Sequence, residues 1–206
     1  EPIVYEHTIP SREEIFSTLE KANTGKSINT LAKMLFLDEN AMQALKNRLR
    51  AMTRDGQLRI DRSDKYTVTK NSQLIEAKVY IQKNKVVTVE PIESTNNIRI
   101  SVGHKQAGGL MLGDTVLVRH FPDKPYSCLP IIAKINQRAL KGLVGRIKYD
   151  GDKARLETIG IYTVSTINVK ESESKEIEDG VFVYAKIVQY PNRHLGCEVE
   201  VESLLG

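Results

Sequence analysis

LKNRLRAMTRDGQLRIDRSDKYTV, residues 45–68, decides how the first third of this chain folds. Leu45, Leu49 and Met52 recur at i, i+4 and i+7, the spacing of one buried helix face. Asp55–Gly56 ends that helix, with Gly56 suited to the left-handed position past the last turn. Leu58 and Ile60, then Tyr66 and Val68, alternate with polar residues around a Ser63–Asp64 turn, so a short hairpin follows. Upstream, Ser11 with Glu14 forms a capping box ahead of Ile15, Leu19 and Ala22, and Asn23–Thr24–Gly25 is a stop. Ser27 caps a second helix over Ile28–Leu35, and Asp38 caps the third. Three small helices and a hairpin, residues 1–70, have the order of a winged helix-turn-helix.

After Ser72 the hydrophobic period changes to two. "EAKVYIQKNKVVTVEPI", "NIRISV" and "DTVLVRHF" read as strands, and so do "GLVGRIKYD", "GIYTVSTINV", "DGVFVYAKIV" and "CEVEVESLL". The two series match at a shift of 65 residues, with Val79 on Val144, Lys83 on Lys148, Asp114 on Asp179, Val116 on Val181 and Val118 on Val183. That predicts a duplicated five-stranded barrel over 71–138 and 139–206, each unit too short for an immunoglobulin-like sandwich. The fold class expected is therefore α+β and multidomain: a winged helix-turn-helix followed by two all-β barrels of OB or cold-shock type.

Composition sets outer limits. The chain has 206 residues, 40% hydrophobic and 27% charged, as in a globular protein. No apolar run reaches the ~20 residues that span a bilayer, which predicts no membrane partner. "EPIVYEHTIP" is acidic and does not read as a secretory signal. A start at Glu1 and an end on "VESLLG" predict a piece of a longer protein. Cys128 and Cys197 lack CxxC spacing and read as reduced thiols of a cytoplasmic protein.

The net charge of +4 fits an anionic partner without demanding one. On the third helix Lys46, Arg50 and Arg54 form an i, i+4, i+8 row turned away from the leucine stripe. Like charges so spaced repel by roughly 0.2–0.5 kcal/mol per pair, so the row is either a phosphate-facing surface or a solvated back. Arg59, Arg62 and Lys65 on the hairpin extend the field, and helix-turn-helix geometry favours nucleic acid. In the strand region Lys78, Lys83, Lys85, Arg99, His104 and Lys105 recur as Arg146, Lys148, Lys153 and Arg155. Small barrels bind single strands with a basic groove and stacking aromatics. The candidates for stacking are Tyr80, Tyr149 and Tyr162, while Phe121, Phe182, Tyr184 and Tyr190 read as core or rim.

Nothing announces catalysis. Asp150 and Asp152 in "YDGDK" fit a hairpin loop. His7, His104, His120 and His194 are scattered without metal-ligand spacing. "HKQAGGLMLGD" lacks the GK[ST] ending of a phosphate loop and reads as a barrel connection with a short helical turn.

"YEHTIPSREEIFSTLEK" followed by "ALKNRLRAMTRDGQL" resembles the N-terminal region of the RNB family of 3′-to-5′ exoribonucleases. There a Pro-Ser-Arg entry opens the first helix and a segment like "LRRRLRAMERDGQL" closes the third. "GDTVLV" resembles "GDQVLA" of the family's first cold-shock domain, and "GVFVYAKIVQYP" with "VEVESLLG" resembles the end of its second. The resemblance implies a magnesium-dependent hydrolase that degrades structured RNA, whose cold-shock barrels guide single strands and whose helix-turn-helix assists with duplexes. The catalytic domain and its magnesium-binding aspartates would follow this chain, so the chain itself is expected to hold no cofactor and to be inactive alone. Its expected partners are RNA, single-stranded and duplex, and its own catalytic domain. Duplex phosphates would meet Lys46, Arg48, Arg50, Arg54, Arg59 and Arg62, and single-stranded backbone would follow Lys83, Lys85, Arg99, Arg146 and Lys148. Where the family carries "GYGF" and "DLYL", this chain has "KNKVVTV" and "NIRI", which predicts weaker, more salt-sensitive binding at the first barrel. Two other readings stay open: a DNA-binding regulator whose barrels sense a ligand or dimerise, and a protein-docking module.

Overall fold

The computed structural model describes residues 9–123, 128–170, 177–192 and 194–206. His7 lies outside them. The chain divides into two compact units, one of Glu1–Leu74 with Arg119–Ala133, the other of Ile75–Val118 with Lys134–Gly206.

The first unit carries α1 (Arg12–Ala22), α2 (Ile28–Met34) and α3 (Met42–Arg54), then a hairpin of β1 (Leu58–Ile60) and β2 (Tyr66–Val68). Ser11 and Glu14 make both bonds of the expected capping box, and Ser27 caps α2. Asp38 caps a 3-10 turn, Glu39–Ala41, which feeds α3, so α3 itself begins three residues later than a direct cap implies. Leu45, Leu49 and Met52 are fully buried, as their spacing predicts, with Ile15, Phe16, Leu19, Leu31 and Leu58.

Each helix ends on a residue with positive φ: Asn23 at 53°, Phe36 at 54° and Gly56 at 78°. After α2 and α3 the bonding is the same Schellman pattern. Phe36 N–H donates to Lys33 and Leu37 N–H to Ala32; Gly56 N–H donates to Thr53 and Gln57 N–H to Met52. Asn and Gly tolerate that conformation, whereas a side chain such as Phe costs roughly 1–2 kcal/mol there.

The core of this unit is completed from far along the sequence. Phe121, Cys128 and Ile131 join it, with Phe121 edge-on to Phe16 at 5.7 Å between ring centroids. Arg119 is buried over the Phe16 ring at 4.6 Å, donates to both Glu13 carboxylate oxygens, and reaches Ser72 Oγ at 3.0 Å.

Twelve strands are assigned among the described residues, and ten of them form two larger sheets. β3 (Gln73–Ile81), β4 (Val87–Pro91), β5 (Ile100–Ser101), β6 (Thr115–His120) and β7 (Ile131–Gln137) order as β5-β4-β3-β6-β7. The predicted helical turn is present as α4 (His104–Ala107). β8 (Gly142–Asp150), β9 (Lys153–Thr158), β10 (Ile167–Val169), β11 (Phe182–Gln189) and β12 (Cys197–Leu204) close a barrel, β10-β12-β11-β8-β9. Its one parallel pair, β10 with β12, makes it OB-fold-like. Counted within each series, first strand pairs with second and fourth, second with third, and fourth with fifth in both; only the second series closes.

The 65-residue frame does not survive as a single register. Val118 and Val183 are both fully buried, but Val79 is buried while Val144 is 45% exposed. A strand shifted by one residue exchanges its faces, so one frame cannot serve every strand once loop lengths differ. A shift of 68 places Ala77 on Gly145 and Val79 on Ile147, all turned inward. Neither cysteine is in a disulfide, and burial pushes the Cys197 thiol up to about 11.

Candidate nucleic-acid interface

The motif that opens and closes the helical unit proves to be a latch. Arg12, nearly buried, donates to Asp55 Oδ2 at 2.8 Å and to Gln57 Oε1 at 3.1 Å. Gln57 in turn donates to the Leu129 carbonyl at 2.9 Å. Burial by itself would raise the Asp55 carboxyl, but the Arg54 and Arg12 guanidiniums outweigh it and hold the group below the usual carboxylate range. A lowered folded pKa gives stability that is complete above the unfolded value, near pH 4, and disappears as pH falls through the folded one. Helical signal followed from about pH 6 to pH 2 should therefore melt in acid, and Asp55→Asn should shrink that pH dependence.

Around this latch the predicted basic residues separate by role. Lys46 and Arg50 are exposed on α3. Arg54, also exposed, lies at the helix end with its Nε 2.9 Å from Asp55 Oδ1. Arg48 is half-buried and donates to the Pro10 carbonyl, so part of its guanidinium already holds the chain entering α1. Arg59 and Arg62 are exposed on β1 and the hairpin turn. The turn is pinned by Asp61, which accepts from Ser63 and Lys65 N–H at 2.8 and 3.0 Å. Arg59 also lines a cleft of about 730 Å³ with Lys70, Thr67 and Asn71. Lys70 was not singled out from sequence, because it follows the hairpin at a position no periodicity marks.

In the strand regions the expectations need adjustment. Lys83 and Lys85 sit on the loop between β3 and β4, not on the strands. Lys85 takes φ 64°, and Gln82 N–H bonds to the Val86 carbonyl to close the loop. Val87, Thr88 and Val89 are buried, so "VTV" fills core where the family resemblance implies exposed aromatics, while Val86 before it stays exposed. Arg99 precedes β5, lies 4.6 Å over the Tyr80 ring, and pairs with Glu90 at 3.1 Å. One face of Tyr80 is thus covered.

On the barrel wall Arg146 lies 4.6 Å over the Phe182 ring, its cross-strand neighbour. Lys148 faces Arg155 across β8 and β9; Lys148 is 3.9 Å from Asp179 and Arg155 3.2 Å from Asp150, which offsets the like-charge facing. Tyr149 is 45% exposed, with its hydroxyl donating to Ile177. Tyr162, also a stacking candidate from its sequence position, packs half-buried against the barrel core. Phe182 and Tyr184, expected as core or rim, are both partly exposed on the outward face of β11.

Chemically, both surfaces offer guanidinium and ammonium groups to anions. Among the described residues no three His, Cys, Asp or Glu side chains gather as cation ligands. No described helix is long and apolar enough to cross a membrane.

No family model matches the chain. A ribonuclease R of Acidithiobacillus ferrooxidans is 28% identical over 205 residues, covering 98% of this chain and 46% of that protein. A ribonuclease R of Vibrio cholerae is 37% identical over 117 residues, covering 56% of this chain and 14% of that protein. The chain thus spans less than half the length of either relative. Among solved structures, Mycoplasma genitalium RNase R in complex with ribose-methylated single-stranded RNA superposes with a TM-score of 0.51 at 16% identity, over 64% of this chain and 21% of that one. Its apo form gives 0.50 at 15% identity, with the same coverage. Across nearly its whole length, then, the chain is similar to a portion of ribonuclease R, as its Pro-Ser-Arg entry and Arg-Asp-Gly-Gln-Leu exit led us to expect.

Proposed function

We propose that this chain is the RNA-binding N-terminal region of a ribonuclease R-like, cytoplasmic 3′-to-5′ exoribonuclease. In this reading residues 1–70 are a winged helix, and 71–138 and 139–206 are cold-shock-like barrels. They guide RNA, and help to open it, for a magnesium-dependent catalytic domain that these residues do not include. The observation that carries the reading is the exposed row of Lys46, Arg50 and Arg54 on α3, continued by Arg59 and Arg62 on the hairpin. Five cations on one helix and the hairpin after it can release several counterions from a phosphate backbone, the main source of sequence-independent affinity. Arg146, Lys148, Arg99, Lys83 and Lys85 are assigned to single-stranded backbone on the same electrostatic ground. With Tyr80 covered by Arg99 and buried valines on β4, the first sheet contributes charge more than stacking.

The test is charge reversal. Arg50→Glu with Arg54→Glu should lower duplex RNA affinity several-fold at low salt and reduce the salt dependence by roughly one unit of log-log slope per lost contact. Equal binding by the parent and the double variant would overturn the assignment. Competition among duplex RNA, single-stranded RNA and duplex DNA separates this reading from a DNA-binding regulator, since the narrow major groove of RNA resists helix readout.

A further inference from the structure

Phe36 is held where a phenylalanine has two reasons not to be. It occupies the left-handed position of the Schellman cap after α2, at φ 54°. Its side chain is also 96% exposed, the highest value among the exposed large hydrophobic residues. The other non-glycine residues with positive φ among the described residues are Asn23, Asp64, Asn71, Lys85 and Asn97, all polar. The same cap after α3 uses Gly56. A glycine at position 36 would relieve the backbone and remove an apolar ring from water, so neither folding nor solubility accounts for the phenylalanine. Conformational strain at an exposed residue is a pointer to function.

The place of Phe36 says what it meets. It lies in the turn between α2 and the 3-10 segment that leads into α3, at the leading end of the helix that carries Lys46 and Arg50. An RNA whose phosphates follow the exposed Lys46 and Arg50 would run toward the turn that leads into α3. The exposed neighbours of Phe36 in sequence are polar apart from Met34: Lys33, Asp38, Glu39 and Asn40. Base stacking needs an open aromatic face, which Phe36 supplies, and a basic surface that tracks the backbone, which the exposed cations of α3 supply.

We infer that Phe36 is a stacking residue for an unpaired nucleobase of RNA, one that caps the end of a duplex lying along the α3 cations. This rests on the RNA-binding reading above and adds to it a specific contact at the junction of paired and unpaired strands. RNA-binding proteins take splayed-out bases on aromatic side chains in just this way, whereas bases inside a duplex are closed to them.

The test exploits opposite signs. In the 206-residue chain, Phe36→Gly should raise the melting temperature by a few degrees, because the cap is relieved. The same variant should bind an RNA hairpin with a short single-stranded tail about tenfold more weakly. Its affinity for a blunt duplex should not change. Phe36→Trp, which keeps the ring, should bind the tailed hairpin like the parent. With 2-aminopurine as the first unpaired base, the parent and the tryptophan variant should change its fluorescence and the glycine variant should not. Equal affinity of parent and Phe36→Gly for the tailed hairpin, with Arg50→Glu/Arg54→Glu still weakened, would overturn the stacking role and leave the RNA reading standing. A parent that binds neither RNA would overturn both. A glycine variant unaltered toward RNA but defective in binding a protein would assign Phe36 to protein contact and likewise overturn the inference.

Discussion

Asp55→Ala is expected to cost the helical unit about 3–5 kcal/mol, the range for breaking a buried ion pair from one side. The variant leaves Arg12 nearly buried, with Gln57 Oε1 as its remaining side-chain acceptor at 3.1 Å. The loss is larger than an exposed pair would give because a guanidinium stranded in the interior keeps its desolvation penalty. Replacing both partners by apolar residues, Arg12→Met with Asp55→Leu, should recover much of the loss. Urea unfolding followed by the helical signal at 222 nm reads this unit, since α1, α2 and α3 all lie in it and α4 has only four residues. A loss below about 1 kcal/mol would contradict the latch.

Gly145→Val should destabilise the barrel by roughly 3 kcal/mol, at the upper end of ordinary overpacking. Gly145 sits on β8 between the inward Leu143 and Ile147, and a Cβ built there meets the Glu157 carbonyl oxygen at 2.6 Å and Leu156 Cγ at 2.9 Å. The oxygen belongs to the backbone of β9, the strand paired with β8, and cannot rotate away. Valine must therefore part the two strands, and faster amide exchange along β8 and β9 would report it. Alanine should be intermediate. If valine leaves both the melting temperature and the exchange unchanged, the close approach of these strands does not hold the barrel.

Local chemistry made the helical third legible. Ser11 with Glu14, Ser27, Asp38 and Gly56 mark ends through bonds that span a few residues, and their hydroxyl, carboxylate or missing Cβ can be read directly. The leucine stripe on α3 was legible for the same reason, since periodicity is a local property. The candidate site was legible only as charge. Sequence could not tell that Arg48 turns back to Pro10 or that Arg99 and Arg146 lie over Tyr80 and Phe182. Nor could it show that Lys83 and Lys85 leave the strand for a loop, because a left-handed lysine has no sequence signature as glycine has.

The sequence by itself determined the order of elements, the caps, the buried face of α3 and the resemblance to ribonuclease R, all carried by neighbours within a turn or by a contiguous motif. Only the tertiary structure decided why that motif is built as it is. Arg12 meets Asp55 across 43 residues, and Arg119 meets Glu13 across 106. Phe121, Cys128 and Ile131 fill a core begun by Ile15 and Phe16. Such contacts depend on how the chain returns through space, and neither hydrophobic period nor propensity records that return. The opening stretch therefore serves two purposes. Asp55 and Gln57 tie the helical unit together, and Lys46, Arg50, Arg59 and Arg62 stay exposed.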